Sequence, residues 1–204
     1  MKAVLLSIRT EWCKKILSGE KTVEIRKTRP RLETPFKVYI YCTRAASKEF
    51  KLDDQNWDVS AKVHGGCPGK RGRVIGEFTC NDIDRITPLT SSIPGNLEER
   101  ILGSCLTPQQ VETYAGWKGH MRLIDCRDAY CWHIHDLKIY DRPRELDEFY
   151  RFNFCGMNGT VVCENEGCKH YEPSGSYMEP PTCAIDGCYL KRPPQSWCYV
   201  EVQN

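Results

Sequence analysis

The stretch Gly19-Glu20-Lys21-Thr22-Val23-Glu24-Ile25-Arg26 decides how this chain reads. From Lys21 onward it has the pattern of a strand: Val23 and Ile25 fall on one face, and Thr22, Glu24 and Arg26 on the other. Glu24 and Arg26 can therefore point together into one site while Val23 and Ile25 enter a core. Lys21 follows a helix end, where it can contact a phosphate, or act as a nucleophile if its pKa falls. The plainer reading is a surface strand whose Glu24–Arg26 pair contributes less than about 1 kcal/mol.

The segments before it support a buried setting. Ala3 to Ile8 is apolar and reads as a buried strand. Thr10 is the expected cap of a helix from about Glu11 to Ser18, with Trp12, Cys13, Ile16 and Leu17 on one face. Gly19 suits the left-handed stop of that helix.

Beyond Arg26, strands are expected at Lys37 to Cys42, Arg73 to Cys80, Trp132 to Tyr140 and Ser196 to Val202, and a polar turn at Asp141 to Arg144. Residues 43–72 read as a long excursion. A second short helix is marked by Thr107-Pro108-Gln109-Gln110, with Thr at the cap, Pro in the first turn and Gln three residues after the cap. Short strands without regular strand–helix alternation predict an α+β, mainly β, fold: a small barrel or sheet with two short helices.

The chain has 204 residues, of which 40% are hydrophobic and 27% charged, so a sizeable core is within reach. A net charge of only +2 removes the argument that a strongly basic protein coats nucleic acid. Any such site must be a local basic patch. No apolar run approaches the roughly 18 residues of a membrane span, and Met1 to Arg9 lacks the pattern of a signal peptide. The expectation is a cytoplasmic protein with no membrane partner. Its 13 cysteines then suit metal ligation better than a disulfide framework.

The Gly19–Arg26 run resembles the GxKxxExR signature of ASCH domains, with every signature position matched. The later run Val74-Ile75-Gly76-Glu77-Phe78, the Trp132 strand and the ending Pro193-Pro194-Gln195-Ser196-Trp197-Cys198-Tyr199-Val200 also look like that family. The resemblance implies a PUA-like β-barrel over residues 1–152 plus 191–204. It further implies a cleft for RNA or a nucleotide or nucleoside, centred on Lys21, Glu24 and Arg26, with Arg9 and Glu77 as second-rank members. Arg29 and Arg31 could add to a basic rim, and Trp12, Trp132 and Trp197 could serve as stacking surfaces, although each Trp alone fits a core better.

Some ASCH proteins hydrolyse the acetyl amide of acetylcytidine with a Lys and a Thr of this signature and a separate Glu. Lys21 matches that Lys, but Glu24 stands where the Thr would be; Thr22 could offer a hydroxyl from a different place, and Glu112 is the counterpart of the separate Glu. Binding without chemistry therefore ranks first. An amidohydrolase using Lys21 and Glu24 ranks second, a ribonuclease third, and a protein-docking module is the reading from another class. His133 and His135 share a strand face but have no third ligand nearby in sequence.

Residues 155–188 change composition sharply, within an expected insertion at 153–190. Cys163-x4-Cys168 and Cys183-x4-Cys188 form two matched pairs, as in zinc knuckles where four thiolates close a tetrahedron. With little aliphatic content, such an insertion could be ordered by structural zinc and could dock a protein partner. Cys155, His170 or Cys198 could replace one of the four ligands.

Overall fold

Strand β1 (Ala3–Ile8) has all six of its residues buried, because it lies in the middle of the sheet with apolar layers on both sides. The computed structural model describes residues 2–43, 72–93, 95–117, 126–151, 171–176, 181–183, 188–190 and 192–202. After β1 come α1 (Thr10–Leu17), β2 (Val23–Arg26), β3 (Phe36–Cys42) and β4 (Arg73–Ile86). Three short helices follow: α2 (Pro88–Ser92), α3 (Asn96–Arg100) and α4 (Pro108–Ala115). The chain continues through β5 (Ala129–Arg144), β6 (Phe149–Arg151), β7 (Tyr171–Glu172), β8 (Thr182–Cys183), β9 (Cys188–Tyr189) and β10 (Trp197–Val202).

Eight strands form one sheet in the order β2-β5-β4-β3-β1-β10-β6-β9, and β7 pairs with β8 in a separate ribbon. β1 and β3 run parallel, with Val4 opposite Val38 and Leu6 opposite Ile40; the other pairings are antiparallel. On one face Val4, Leu6, Ile8, Val38, Ile40, Phe78 and Trp132 pack beneath Cys13 and Ile16 of α1. On the other, Ala3, Leu5, Tyr39, Tyr41, Phe149 and Val200 form a second layer. A third cluster joins Val23 and Ile25 of β2 to Leu97, Ile101, Val111 and Ala115 of the helical segment.

The sheet rolls strongly. Trp132 on β5 and Trp197 on β10, four places apart in strand order, bring their rings within 6.1 Å. Trp197 Nε1 also donates to Thr28 Oγ1 just past β2 (2.9 Å), and the Tyr199 hydroxyl accepts from the Arg31 main chain (2.7 Å). Among the described residues the seam between β2 and β10 is spanned by such side-chain bonds, with no strand ladder closing it. The mixed, mainly β class therefore holds, whereas a ladder-closed barrel is not what these residues form.

Several local expectations change. Four α-helices, not two, lie among the described residues. Arg9, not Thr10, occupies the cap position of α1, because the Thr10 hydroxyl is drawn inward to donate to Thr43 O at 3.1 Å. The stretch Asp141–Arg144 continues β5 instead of turning. By contrast α4 begins on the expected capping box, Thr107 with Gln110, and ends at Gly116 with φ +82°. Gly19 likewise takes φ +77° after α1.

β9 and Leu190 belong to the main sheet and its core, although sequence placed them in the insertion; Leu190 N donates to Phe149 O at 2.9 Å. Most of 153–190, including Cys163 and Cys168, and the excursion 44–71 lie outside the described residues. Among the described residues no helix is long and apolar enough to cross a membrane.

Candidate functional site

The end of α1 delivers Lys21 to a position that strand alternation alone would not give it. Its main-chain nitrogen donates to Lys15 O at 2.8 Å, so Lys21 sits in the turn before β2, with only 3% of the residue exposed. The ammonium donates to Val23 O (2.8 Å) and Ser104 O (2.6 Å) and stands 3.3 Å from Glu24 Oε2. Its nitrogen also lies 5.2 Å from the Trp12 ring centroid.

The loop after α3 makes this possible. Gly103 O accepts from both Thr22 N (2.8 Å) and Val23 N (3.1 Å), which sets the neighbouring Ser104 carbonyl over Lys21. Gly103 has φ +80°, and a Cβ there would overlap Thr22 Oγ1, so a glycine is required twice over.

Glu24 is buried between two cations. Its Oε1 lies 2.9 Å from Arg26 Nη2 and its Oε2 faces Lys21. Arg26 Nη2 also donates to Ser7 O at 2.7 Å, and Nη1 reaches Ser196 Oγ at 3.4 Å. Arg26 Nε is buried with no hydrogen-bond partner among the described residues. Leaving such a donor unmet costs about 1–3 kcal/mol.

These groups line a cavity of about 540 Å³, within the size range of small-ligand sites. Trp12 and Tyr114 supply aromatic wall, Leu106 and Ile8 aliphatic wall, and Gln110, Gln195 and Ser196 polar edges. Burial pushes the Tyr114 hydroxyl up against the opposing pull of Arg26, so it stays a neutral donor. Glu24 turns one oxygen to Lys21 and the other to Arg26, within a carboxylate's capacity of roughly four acceptor positions. The remaining lone pairs can take the amino group of a base or a ribose hydroxyl.

Lys21, Glu24, Arg26 and Arg9 thus meet in one cavity wall. Glu77 does not. It pairs across from Tyr39 on the opposite face of the sheet from Phe78, where Lys37 Nζ (2.9 Å) and the Tyr140 hydroxyl (2.5 Å) donate to it. Thr22 is exposed against the Gly103 loop, and neither it nor Glu112 lines the cavity. Of the three tryptophans, Trp12 lines the cavity, while Trp132 is fully buried in the core. His133 Nε2 bonds Asp84 Oδ2 at 2.9 Å, and no group of three potential metal ligands occurs among the described residues. Cys198 is buried in the second core layer. The backbones of Cys183 and Cys188 fall in different sheets, and the four-cysteine set as a whole lies outside the described side chains.

Sequence reasoning missed Ser104, Gln110, Tyr114 and Gln195 as members of the site. The signal for α4 was present: Gln110 and Tyr114 are four residues apart and share a helix face. Nothing local marks Ser104, because only its carbonyl acts.

No family model and no curated protein matches this chain. Solved structures do: ASCH from Zymomonas mobilis is similar over 71% of this chain and 74% of that chain, at 23% identity and a TM-score of 0.45. Two mutants of that Zymomonas mobilis protein are similar as well. The one with a tyrosine changed to phenylalanine covers 72% of this chain and 78% of its own, at 23% identity and a TM-score of 0.44. The one with a serine changed to alanine covers 71% and 75%, at 22% identity and a TM-score of 0.45. These similar structures are ASCH proteins. That is the family whose motif Gly19–Arg26 resembles.

Proposed function

We propose that this chain is an ASCH-type domain that binds RNA or a nucleotide through a base held in the Lys21–Glu24–Arg26 cavity, and that it performs no chemistry there. The observation that carries this reading is the setting of the Lys21 ammonium. Its nitrogen donates to two main-chain carbonyls, Val23 O and Ser104 O, and stands 3.3 Å from the Glu24 carboxylate as an ion pair. An amine committed to these partners is a structural donor, not one placed to act as nucleophile or base. The absence of Thr22 and Glu112 from the cavity wall also counts against an amidohydrolase. Arg26 and Glu24 together offer donors and acceptors side by side, the pattern needed to read a base edge.

The test is binding of short single-stranded RNA and of nucleotides by wild type and Arg26→Glu, with circular dichroism to establish that the variant folds. Loss of binding in the folded variant supports the reading; unchanged binding sinks it. Acetylcytidine incubated with the wild type should release no acetate. Release that disappears in Lys21→Met would overturn the claim that no chemistry occurs.

For residues 153–190 we propose structural zinc on Cys163, Cys168, Cys183 and Cys188, on the strength of the paired spacing. Elemental analysis should find one zinc per chain, and a metal-free preparation that retains full stability would dismiss it.

A further inference from the structure

The helical segment between β4 and β5 carries a surface that ligand binding leaves unused. Every large hydrophobic side chain that stands exposed among the described residues belongs to it: Leu89, Ile93, Leu102 and Tyr114. Tyr114 is accounted for by the cavity wall. Leu89, Ile93 and Leu102 take no part in that wall, and they are 63%, 55% and 79% exposed.

The backbone gathers these three side chains around α3. Leu89 lies on α2 and Ile93 at its C-terminal cap, four residues on, so the two fall on the same side. α2 in turn packs against α3. Asn96 N donates to Ile93 O (3.2 Å) and Leu102 N donates to Glu99 O (3.3 Å). Ile93 is thereby tied to the start of α3 and Leu102 to its end. Leu97 and Ile101 pack into the core, so α3 presents Glu98, Glu99 and Arg100 outward, all exposed. The helix is only about 7.5 Å long, and the aliphatic groups therefore rim a small charged centre.

The charges of that centre are unanswered within their own chain. Helix residues one and two apart do not face each other, so Arg100 cannot pair with Glu99 or Glu98. Among the described residues none of the three forms an ion pair; Arg100 Nε donates instead to Asn96 Oδ1 at 3.0 Å.

Charge of both signs beside exposed aliphatic groups is a self-complementary pattern. A two-fold axis sets the same patch on both partners, so each contact between Arg100 and a carboxylate is made twice. A partner of a single charge sign would answer the carboxylates or the guanidinium, but not both. We propose that a second copy of this chain packs on this face. Leu89, Ile93 and Leu102 supply the apolar contact, and Arg100 of each copy pairs with Glu98 or Glu99 of the other. Standard interfaces bury about 800 Å² per partner. Three aliphatic side chains around a five-residue helix cover less, so the dimer is weak and reversible.

The test is sedimentation equilibrium of the intact chain from micromolar to millimolar concentration. The average mass should rise from one chain towards two. Leu102→Asp and, independently, Leu89→Asp should weaken association about tenfold or more. Their circular dichroism should match wild type, because both side chains are exposed. Arg100→Glu should weaken association as well, since it sets like charges opposite each other. The full reversal, Glu98→Lys and Glu99→Lys together with Arg100→Glu, should restore it, because self-complementarity survives an exchange of signs.

A chain that stays monomeric throughout overturns the inference and leaves the face to a different protein. A dimer indifferent to both leucine substitutions also overturns it, by placing the contact elsewhere. A mass that passes two chains and keeps rising overturns the two-fold arrangement. A reversal that fails to recover the association lost in Arg100→Glu removes the charge pairing, and with it the case for a second copy.

Discussion

Arg26 Nη2 donates to the main-chain oxygen of Ser7 at 2.7 Å although their strands stand four places apart in the sheet. With neighbouring strands about 4.8 Å apart, a flat sheet would separate them by roughly 19 Å. The bond is therefore a direct consequence of the sheet's roll. Ser7 N and Ser196 O meet at 2.9 Å beside it, and Ser196 Oγ takes the other arm of the guanidinium. The Arg26 side chain, which lines the cavity, is also a strap across the seam.

Arg26→Lys should separate these roles from charge. An ammonium keeps the charge but cannot span Glu24, Ser7 and Ser196 together as a planar fork does. The expected cost is about 1.5–3 kcal/mol, the scale of hydrogen bonds to charged groups, read as a lowered urea midpoint. A stability equal to wild type would mean the strap contributes nothing.

Lys21 should prove a structural residue first. Lys21→Met removes the donor to Val23 O and Ser104 O and leaves Glu24 with Arg26 alone. Breaking a buried ionic set by removing one partner costs about 3–5 kcal/mol. Glu24→Gln should cost a similar amount by leaving two buried cations facing a neutral amide. Since both act on one network, the double variant should lose clearly less than the sum. Additive losses in chemical denaturation would show that the two side chains are energetically independent.

Gly103→Ala is expected to destabilise the chain by roughly 1–3 kcal/mol, since it combines a left-handed backbone with a Cβ driven into Thr22 Oγ1. Adding Thr22→Ala should recover part of the loss by removing the hydroxyl, and the φ penalty should remain. The discriminating readout is ligand affinity. If the Gly103 loop sets the Ser104 carbonyl over Lys21, the single variant weakens binding as well as folding.

Much of this site was legible in sequence because it is local. The alternation Val23, Glu24, Ile25, Arg26 gave the faces of β2, and Thr107 with Gln110 gave the start of α4. What escaped depends on chain segments far apart. Pro143 suggested a turn, yet among the described residues β5 beyond Ile134 has a strand partner only on its β4 side, and an edge strand tolerates a missing N–H. Glu77 was assigned to the cleft without its position in the roll, which puts its face of β4 on the far layer. Ser104 works through a carbonyl, and every residue has one.

That far layer makes the last prediction, for pH. Burial alone would raise the Glu77 carboxyl; donation from the Tyr140 hydroxyl and the Lys37 ammonium outweighs it and holds the carboxyl below its usual 4.5. A depressed acid contributes stability that is present above its unfolded value and lost as pH falls through the folded one. The advantage of wild type over Glu77→Gln should therefore be constant near neutral pH and shrink once pH drops below about 4.5. At the alkaline end the sign reverses. Lys37 is raised by its bond to Glu77, and Tyr140 is raised by burial and then by Glu77, so their contributions are complete below their unfolded values and fade as pH rises through the folded ones. Urea midpoints of the two proteins across this range provide the check. Curves that stay parallel from acid to alkali would mean that the Lys37–Glu77–Tyr140 cluster is not coupled to folding.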